Sequence, residues 1–362
     1  MDASFPQVDI VIPCFNDGKT LFQCLNAIVY QKSKFPFMII VINNNSSDNS
    51  VEIAKGFPQV KLLHESRQGR SFARNKGIQA SQAKYVCFVD ADVVLEHDWL
   101  EHMVRKMEKS ALYGGGESHV SVRASDESDL FMQLRSGNKN DRELMLQMKS
   151  HDYPMLNSAA CIYRRQALIN VNGFDEKLNS YEDIDLSKRV ALSGWVLCTE
   201  KLAKGYSYNN RANVFGFGRR YFQLGQNRYL FNLKWSTRSA TELFAHELLY
   251  IFTEFKSALF SGGASNNPKL RILKTYLLIM KNLGKVSAFI NREEVQQEDL
   301  STYKPFVDQS GRACIICHIN QTLVLYYLRE KKFKYIKCDE DLDLIIMGGF
   351  LYGQKRKIHS LL

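Results

Sequence analysis

Val8–Pro13, Met38–Ile42, Val60–Leu63 and Tyr85–Val89 are short, predominantly apolar runs separated by stretches with helical spacing. A strand with one wet face would alternate apolar and polar side chains. Runs that stay apolar through consecutive positions are read as strands buried on both faces. Between the first two runs, Thr20 to about Tyr30 puts Leu21, Cys24, Leu25 and Ile28 on one helical face, and further helices are predicted from about Ser50 and over Ser71–Ala80. Strand alternating with helix predicts an α/β fold, a mostly parallel sheet covered on both faces. Such sheets bind ligands outside the carboxyl ends of their strands. The polar clusters lie at those ends: Pro13 to Gly18, Asn43 to Asp48, and Asp90-Ala91-Asp92.

Asp90 and Asp92 are two residues apart where a strand enters a loop, so the pleat sends both carboxylates to one side. Hard cations such as Mg²⁺ or Mn²⁺ take carboxylate oxygens together with phosphate oxygens. A cation bridging a diphosphate neutralises charge on the leaving group. Taken alone, the pair fits a helix cap or a solvated loop equally well. A second acidic cluster, Glu182-Asp183-Ile184-Asp185, suggests divided labour, with one cluster for a metal and one for a proton. Asp183 and Asp185 also suit the first turn of a helix over Leu186–Leu192, where the dipole favours acids.

Taken in order, Val11 to Asn16, Val41 to Ser50, Gly69 to Gly77, Phe88 to Asp92, Gly173 to Glu176 and Glu182 to Arg189 resemble the motifs of the family 2 glycosyltransferases over about residues 8–230. The resemblance implies a GT-A fold (a Rossmann-like, mostly parallel sheet with helices on both faces), a nucleotide-sugar donor and inversion at the anomeric carbon. It implies that Pro13, Phe15 and Asn16 border the nucleotide, that Asn43 and Asn44 meet the base, and that Arg70 lies near base and ribose. Asp90 and Asp92 match the ribose and metal carboxylates. Asp183 matches the general base, Glu182 its support, and Gly173-Phe174 a turn beneath the acceptor. The alternative for Arg70 and Arg74 is a surface salt bridge, worth little. Relatives often carry aspartate at one or both of the Asn43 and Asn44 positions. An amide still pairs with uracil, so a UDP-sugar is the favoured donor. Replacement of the carboxylate weakens the case for uridine over guanosine and leaves a GDP-sugar as the alternative. Relatives also often place a histidine ligand near Lys204–Arg211, where this chain offers Asn209 or Asn210. That departure keeps open a protein of the same fold that binds nucleotide sugar without turnover. Arg219, Arg220 and Arg228 resemble a basic segment over the diphosphate, or form a helix with a solvated basic face.

The resemblance sets residues 1–235 as a catalytic domain and leaves 236–362 as an accessory region, mainly helical with possible short strands. In the latter, Leu270, Leu273, Leu277, Met280 and Gly284 form a stripe that suits helix-pair packing, with a membrane-surface face as the alternative. Ala313–Ile319, Thr322–Leu328 and Leu342–Met347 read as strands or buried helix. Cys314-Ile315-Ile316-Cys317-His318 fits a haem-attachment or half-zinc pattern, but its apolar flanks favour buried thiols. Met1–Pro6 shows no signal-like leader, and no apolar run reaches the roughly 18 residues needed to span a bilayer. The expectation is a cytoplasmic protein, possibly peripheral at the inner membrane face. A net charge of +10 suits an anionic partner or a merely solvated basic surface. The expected partners are the nucleotide sugar with Mn²⁺ or Mg²⁺, a saccharide, lipid-linked or protein acceptor in polysaccharide or glycolipid assembly, and a possible second copy. No nucleic-acid motif is present.

Overall fold

The computed structural model describes residues 6–123, 156–208, 214–249, 268–291, 297–299, 302–308, 310–319, 322–328, 332–337 and 350–351. The four apolar runs form β1 (Val8–Cys14), β2 (Phe37–Asn43), β3 (Val60–His64) and β4 (Tyr85–Val89), all mutually parallel, with β1 between β2 and β4. Their continuous apolarity has the expected cause. Ile10, Ile12, Ile39 and Val41 enter the core on one face, while Val11, Ile40 and Ile42 enter the core on the other. Helix α1 (Leu21–Val29) covers the first face and α3 (Arg70–Ala80) the second; α2 (Ser50–Lys55) follows β2.

Beyond β4 the sheet becomes mixed. Strand β5 (Val93–Leu95) leads into α4 (Trp99–Glu108), and then β6 (Tyr113–Arg123) and β7 (Ala160–Arg164) run antiparallel to each other, with β7 antiparallel to β4. Two helices follow, α5 (Arg165–Asn170) and α6 (Glu182–Leu192), the latter packing Leu186, Val190 and Ala191 on the second face. Strand β8 (Val196–Tyr208) is parallel to β6, and α7 (Val214–Lys234) comes after it. Several of these elements escape a search for apolar runs because β6 is glycine-rich and β8 carries exposed charges.

The sheet continues past the boundary expected at residue 235. After α8 (Pro268–Ile290) come β9 (Phe306–Asp308), β10 (Ala313–Ile319), β11 (Thr322–Tyr327), β12 (Lys332–Lys337) and β13 (Phe350–Leu351). Strand β10 pairs parallel to β8, giving the order β12-β11-β10-β8-β6-β7-β4-β1-β2-β3. Cys314 and Cys317 are buried in β10, and they enter the cores on opposite faces. Two thiols directed to opposite faces of one strand do not converge on a single metal. Leu342–Met347 lies outside the described residues. Among the described residues, no helix is long and apolar enough to cross a membrane.

Helices α7 and α8 pack against each other through glycine. A Cβ at Gly225 would collide with the backbone of Lys281, and one at Gly284 with the backbone of Phe222, so only glycine permits this approach. Leu273 and Leu277 are buried in the same seam. The stripe containing Gly284 is thus helix-pair packing.

Candidate active site

The carboxyl ends of β1 and β2 are tied together by side chains. Asn16, in the left-handed conformation at φ 57°, accepts from the Ser47 amide at 2.7 Å, and its own amide donates to Ser46 Oγ at 3.1 Å. The Phe15 amide donates to Asp17 Oδ2 at 2.9 Å, and the Phe15 ring is half exposed. Pro13 is partly buried near the end of β1. Asn43 accepts from the Ser46 amide at 3.0 Å and stays partly exposed, but Asn44 is buried. The Asn44 amide donates to the carbonyls of Glu65 and Arg67 at 2.9 and 2.7 Å and accepts from the Gly69 amide at 2.8 Å. Its role in the fold is to fasten the loop between β3 and α3, and Asn43 is the partly exposed member of the pair.

Arg74 joins the two acidic clusters. Its guanidinium donates to Asp90 Oδ1 at 2.8 Å and to Glu182 Oε1 at 2.9 Å, over the ring of Phe174. The reading of Arg74 as a surface salt bridge is corrected here, because the side chain is fully buried. It follows Ala73 on the face of α3 turned to the sheet, and the carboxylates of Asp90 and Glu182 compensate its charge. Arg70, one turn earlier, is exposed and lies 3.7 Å from Glu182. Asp92 accepts from Ser207 Oγ at 3.2 Å. Burial, reinforced by the nearby carboxylates of Asp92, Asp90 and Asp48, pushes the Asp17 carboxyl up to about 6.

Asp183 lies in the first turn of α6, preceded by Tyr181 in the left-handed conformation. Its Oδ1 accepts from the Ile184 amide at 2.9 Å. Burial and the adjacent Glu182 charge raise its carboxyl to about 7, against the opposing pull of Arg74. The turn before it is fixed from α3. Asn75 donates to the Phe174 carbonyl at 2.9 Å and accepts from the Phe174 amide at 2.8 Å. Gly173 has φ 67°, and a Cβ there would lie 2.6 Å from Asn75 Oδ1. Phe174 is buried edge-on against Phe88. Glu117 on β6 shares a sheet row with Cys161 and Phe88, and burial together with the Asp183 charge pushes its carboxyl up to about 8.

Residues 9–171, which contain the loops after β1 and β2 and Asp90-Ala91-Asp92, match the family described as Glycosyl transferase family 2. The chain carries a family 2 glycosyltransferase domain. Among its relatives, an uncharacterized glycosyltransferase, YibD, of Escherichia coli is 43% identical over 90 residues, or 24% of this chain and 26% of that protein. Glycosyltransferase AglE of Haloferax volcanii is 26% identical over 209 residues, or 54% of this chain and 65% of that protein. The chain therefore spans less than two thirds of the length of either relative. A mannosyltransferase from Pyrobaculum calidifontis, solved in complex with GDP-Man and Mn²⁺, superposes with a TM-score of 0.52 at 17% identity. That superposition covers 80% of this chain and 89% of the other, and it places the glycosyltransferase domain in the GT-A fold.

Within this fold Asp90, Arg74, Glu182, Asp183 and Arg70 form one neighbourhood, with Gly173 and Phe174 beneath it. Arg219, Arg220 and Arg228 lie on α7, where Arg228 helps hold the Glu247 carboxyl below its usual range. Asn209 and Asn210 lie outside the described residues. Among the described residues no three histidine, cysteine, aspartate or glutamate side chains converge as a ready metal centre. The donors still suit a hard cation. Asp92 and Asp90 offer carboxylate oxygen, and their charges, which add to the burial that lifts Asp17, are ones a divalent cation would offset. Sequence reasoning missed Asp17, Arg74 and Glu117 as parts of the site. A signal did exist for Arg74: two acidic clusters brought into one buried site require a buried cation between them.

Proposed function

We propose that the protein is an inverting glycosyltransferase that moves a sugar from a nucleoside diphosphate sugar to an acceptor hydroxyl. The observation that carries this reading is the Arg74 bridge, which holds the nucleotide-side Asp90 and the acceptor-side Glu182 in a single site. In one displacement the acceptor oxygen bonds to the anomeric carbon and the bond to the diphosphate breaks. The departing nucleotide takes the electron pair, and the hydroxyl proton goes to Asp183. A base works best with a pKa near the working pH, and the raised carboxyl of Asp183 has that property.

Glu182, held by Arg74 and flanked by Arg70, orients Asp183 through the rigid first turn of α6. Phe15, Asn16 and Asn43 line the nucleotide side, with Arg70 toward base and ribose. A divalent cation, Mn²⁺ or Mg²⁺, would be held by Asp92 with Asp90 and would supply charge neutralisation at the diphosphate. UDP-sugars are the expected donors, with GDP-sugars as rivals given the GDP-Man complex of the structural neighbour. Polysaccharide or glycolipid assembly is the expected setting. Isothermal titration of UDP, GDP and their common sugar conjugates, with and without Mn²⁺ or Mg²⁺, followed by transfer assays with the tightest donor, tests the reading. It fails if none of these nucleotides binds.

A further inference from the structure

Helix α8 has a second stripe, distinct from the one packed on α7. Ile272, Ile279, Leu283 and Ile290 are all exposed, Ile272 and Ile290 by 71% and 69%. Given about 100° of rotation per residue, these four positions fall within about 40° of one another along the helix. Exposed apolar residues scattered singly need no explanation, but a stripe in register along a 23-residue helix does. Leu248 and Leu249 are also exposed, in the neighbouring helical stretch 240–249.

The charge of the helix pair narrows the choice of partner. Helix α7 contains Arg219, Arg220, Arg228 and Lys234, and α8 contains Lys269, Arg271, Lys274, Lys281 and Lys285, with no aspartate or glutamate in either. Some of these meet acids from elsewhere in the fold, Arg228 acting on Glu247 among them. Lys234 pairs with Asp175, Asp185 and Glu298, and the fully buried Lys285 pairs with Glu247 at 2.7 Å. With basic residues along both helices and no acid on either, the sequence of the hairpin carries a positive bias. A helix lying in a bilayer interface combines such a bias with an apolar stripe, and its affinity scales with both.

We infer that the stripe Ile272, Ile279, Leu283 and Ile290 seats the protein on a lipid surface bearing anionic headgroups. Helix α8 lies in the plane of the interface, and the sheet stays in water. The seat is independent of the transfer reaction, since it uses none of the carboxylates of the site.

The test is flotation of the full-length protein with phosphatidylcholine vesicles, with and without phosphatidylglycerol, at low and high salt. Wild type is expected to float with the phosphatidylglycerol vesicles, and high salt is expected to weaken this several-fold. The quadruple variant Ile272→Gln, Ile279→Gln, Leu283→Gln and Ile290→Gln is expected to stay at the bottom of the gradient. Because all four side chains are exposed, thermal melting should show that variant as stable as wild type. If it melts earlier, Leu283→Gln alone must still reduce flotation. Three results overturn the inference: no flotation of wild type, equal flotation on both vesicle types, or unchanged flotation of the variants. So does a wild-type dimer that ignores vesicles and becomes monomeric in the quadruple variant.

Discussion

Arg74 and Glu182 are buried side by side, with Nη1 of the arginine 2.9 Å from Oε1 of the carboxylate. Both belong to helices that pack on the same face of the sheet, and the second arm of Arg74 reaches Asp90. Removing one partner of a buried ion pair leaves the other charged and unpaired, which typically costs about 3–5 kcal/mol. Arg74→Met is therefore expected to lower unfolding free energy by that order in urea titrations. Arg74→Lys keeps the charge but not the planar fork that spans two carboxylates. It should lose less stability than Arg74→Met and still lose most transfer activity. Full activity in Arg74→Lys would show that the bridge does not organise the site.

Asp183→Asn keeps the shape of the first turn of α6 and removes the proposed proton acceptor. General-base catalysis contributes about 10²–10⁴-fold, and this step is felt in the transition state more than in the ground state. The turnover rate should fall by that range while nucleotide affinity, measured by titration, stays within a few-fold. A parallel loss of affinity would make Asp183 a binding residue instead.

The first half of the sheet was legible because its strands are buried on both faces, and that burial writes itself as continuous apolarity. The rest of the sheet was not. β6 begins Tyr113-Gly114-Gly115-Gly116, and a Cβ on Gly114 or Gly115 would come within 2.4 Å of Trp195 or 2.7 Å of Tyr163, where side chains would not fit. β10 and β11 are apolar but lie far along the chain, and periodicity alone does not say that β10 joins β8 and so completes the sheet. In the site, acidic pairs stand out in a sequence. The arginine between them looks like any surface arginine until the helix carrying it is turned toward the sheet.

Asp92 tests the cation. Its carboxylate is at the turn after β4 and accepts from Ser207 Oγ, a bond whose net contribution is about 0.5–1.5 kcal/mol, so loss of that bond should disturb the fold little. Asp92→Ala is expected to abolish the part of nucleotide affinity that chelation removes from wild type, with the thermal midpoint nearly unchanged. If the variant still responds to Mn²⁺ as wild type does, Asp92 is not a ligand.

Gly173→Ala meets two obstacles. The residue has φ 67°, where a Cβ costs about 1–2 kcal/mol, and that Cβ would approach Asn75 Oδ1 to 2.6 Å. Asn75 would have to give up one of its bonds to Phe174. A loss of at least about 1–2 kcal/mol in urea titration is expected, with a larger effect on acceptor KM than on nucleotide affinity. An unaltered midpoint would mean that the turn relaxes without cost.

Stability should fall as pH rises through neutrality, and the sign follows from three carboxyls. Asp17, Asp183 and Glu117 are raised to about 6, 7 and 8, chiefly by burial. Unfolded, such groups titrate near about 4, so above that pH the folded chain binds more protons than the unfolded one. Their contribution is complete below the unfolded value and is lost as pH climbs through the folded values. Carboxyls held low, such as Asp308 at about 2, act in the opposite sense, but only under more acidic conditions. Urea midpoints should therefore be higher near about pH 5 than near about pH 8.5. Glu117→Gln and Asp183→Asn should each flatten that slope by removing one titrating group. The rate profile runs the other way, because Asp183 must be ionised to accept a proton. Transfer should rise with pH to a plateau above about 7 while stability declines across the same interval. A wild-type midpoint that does not vary with pH, or that rises, would contradict the burial of these carboxyls.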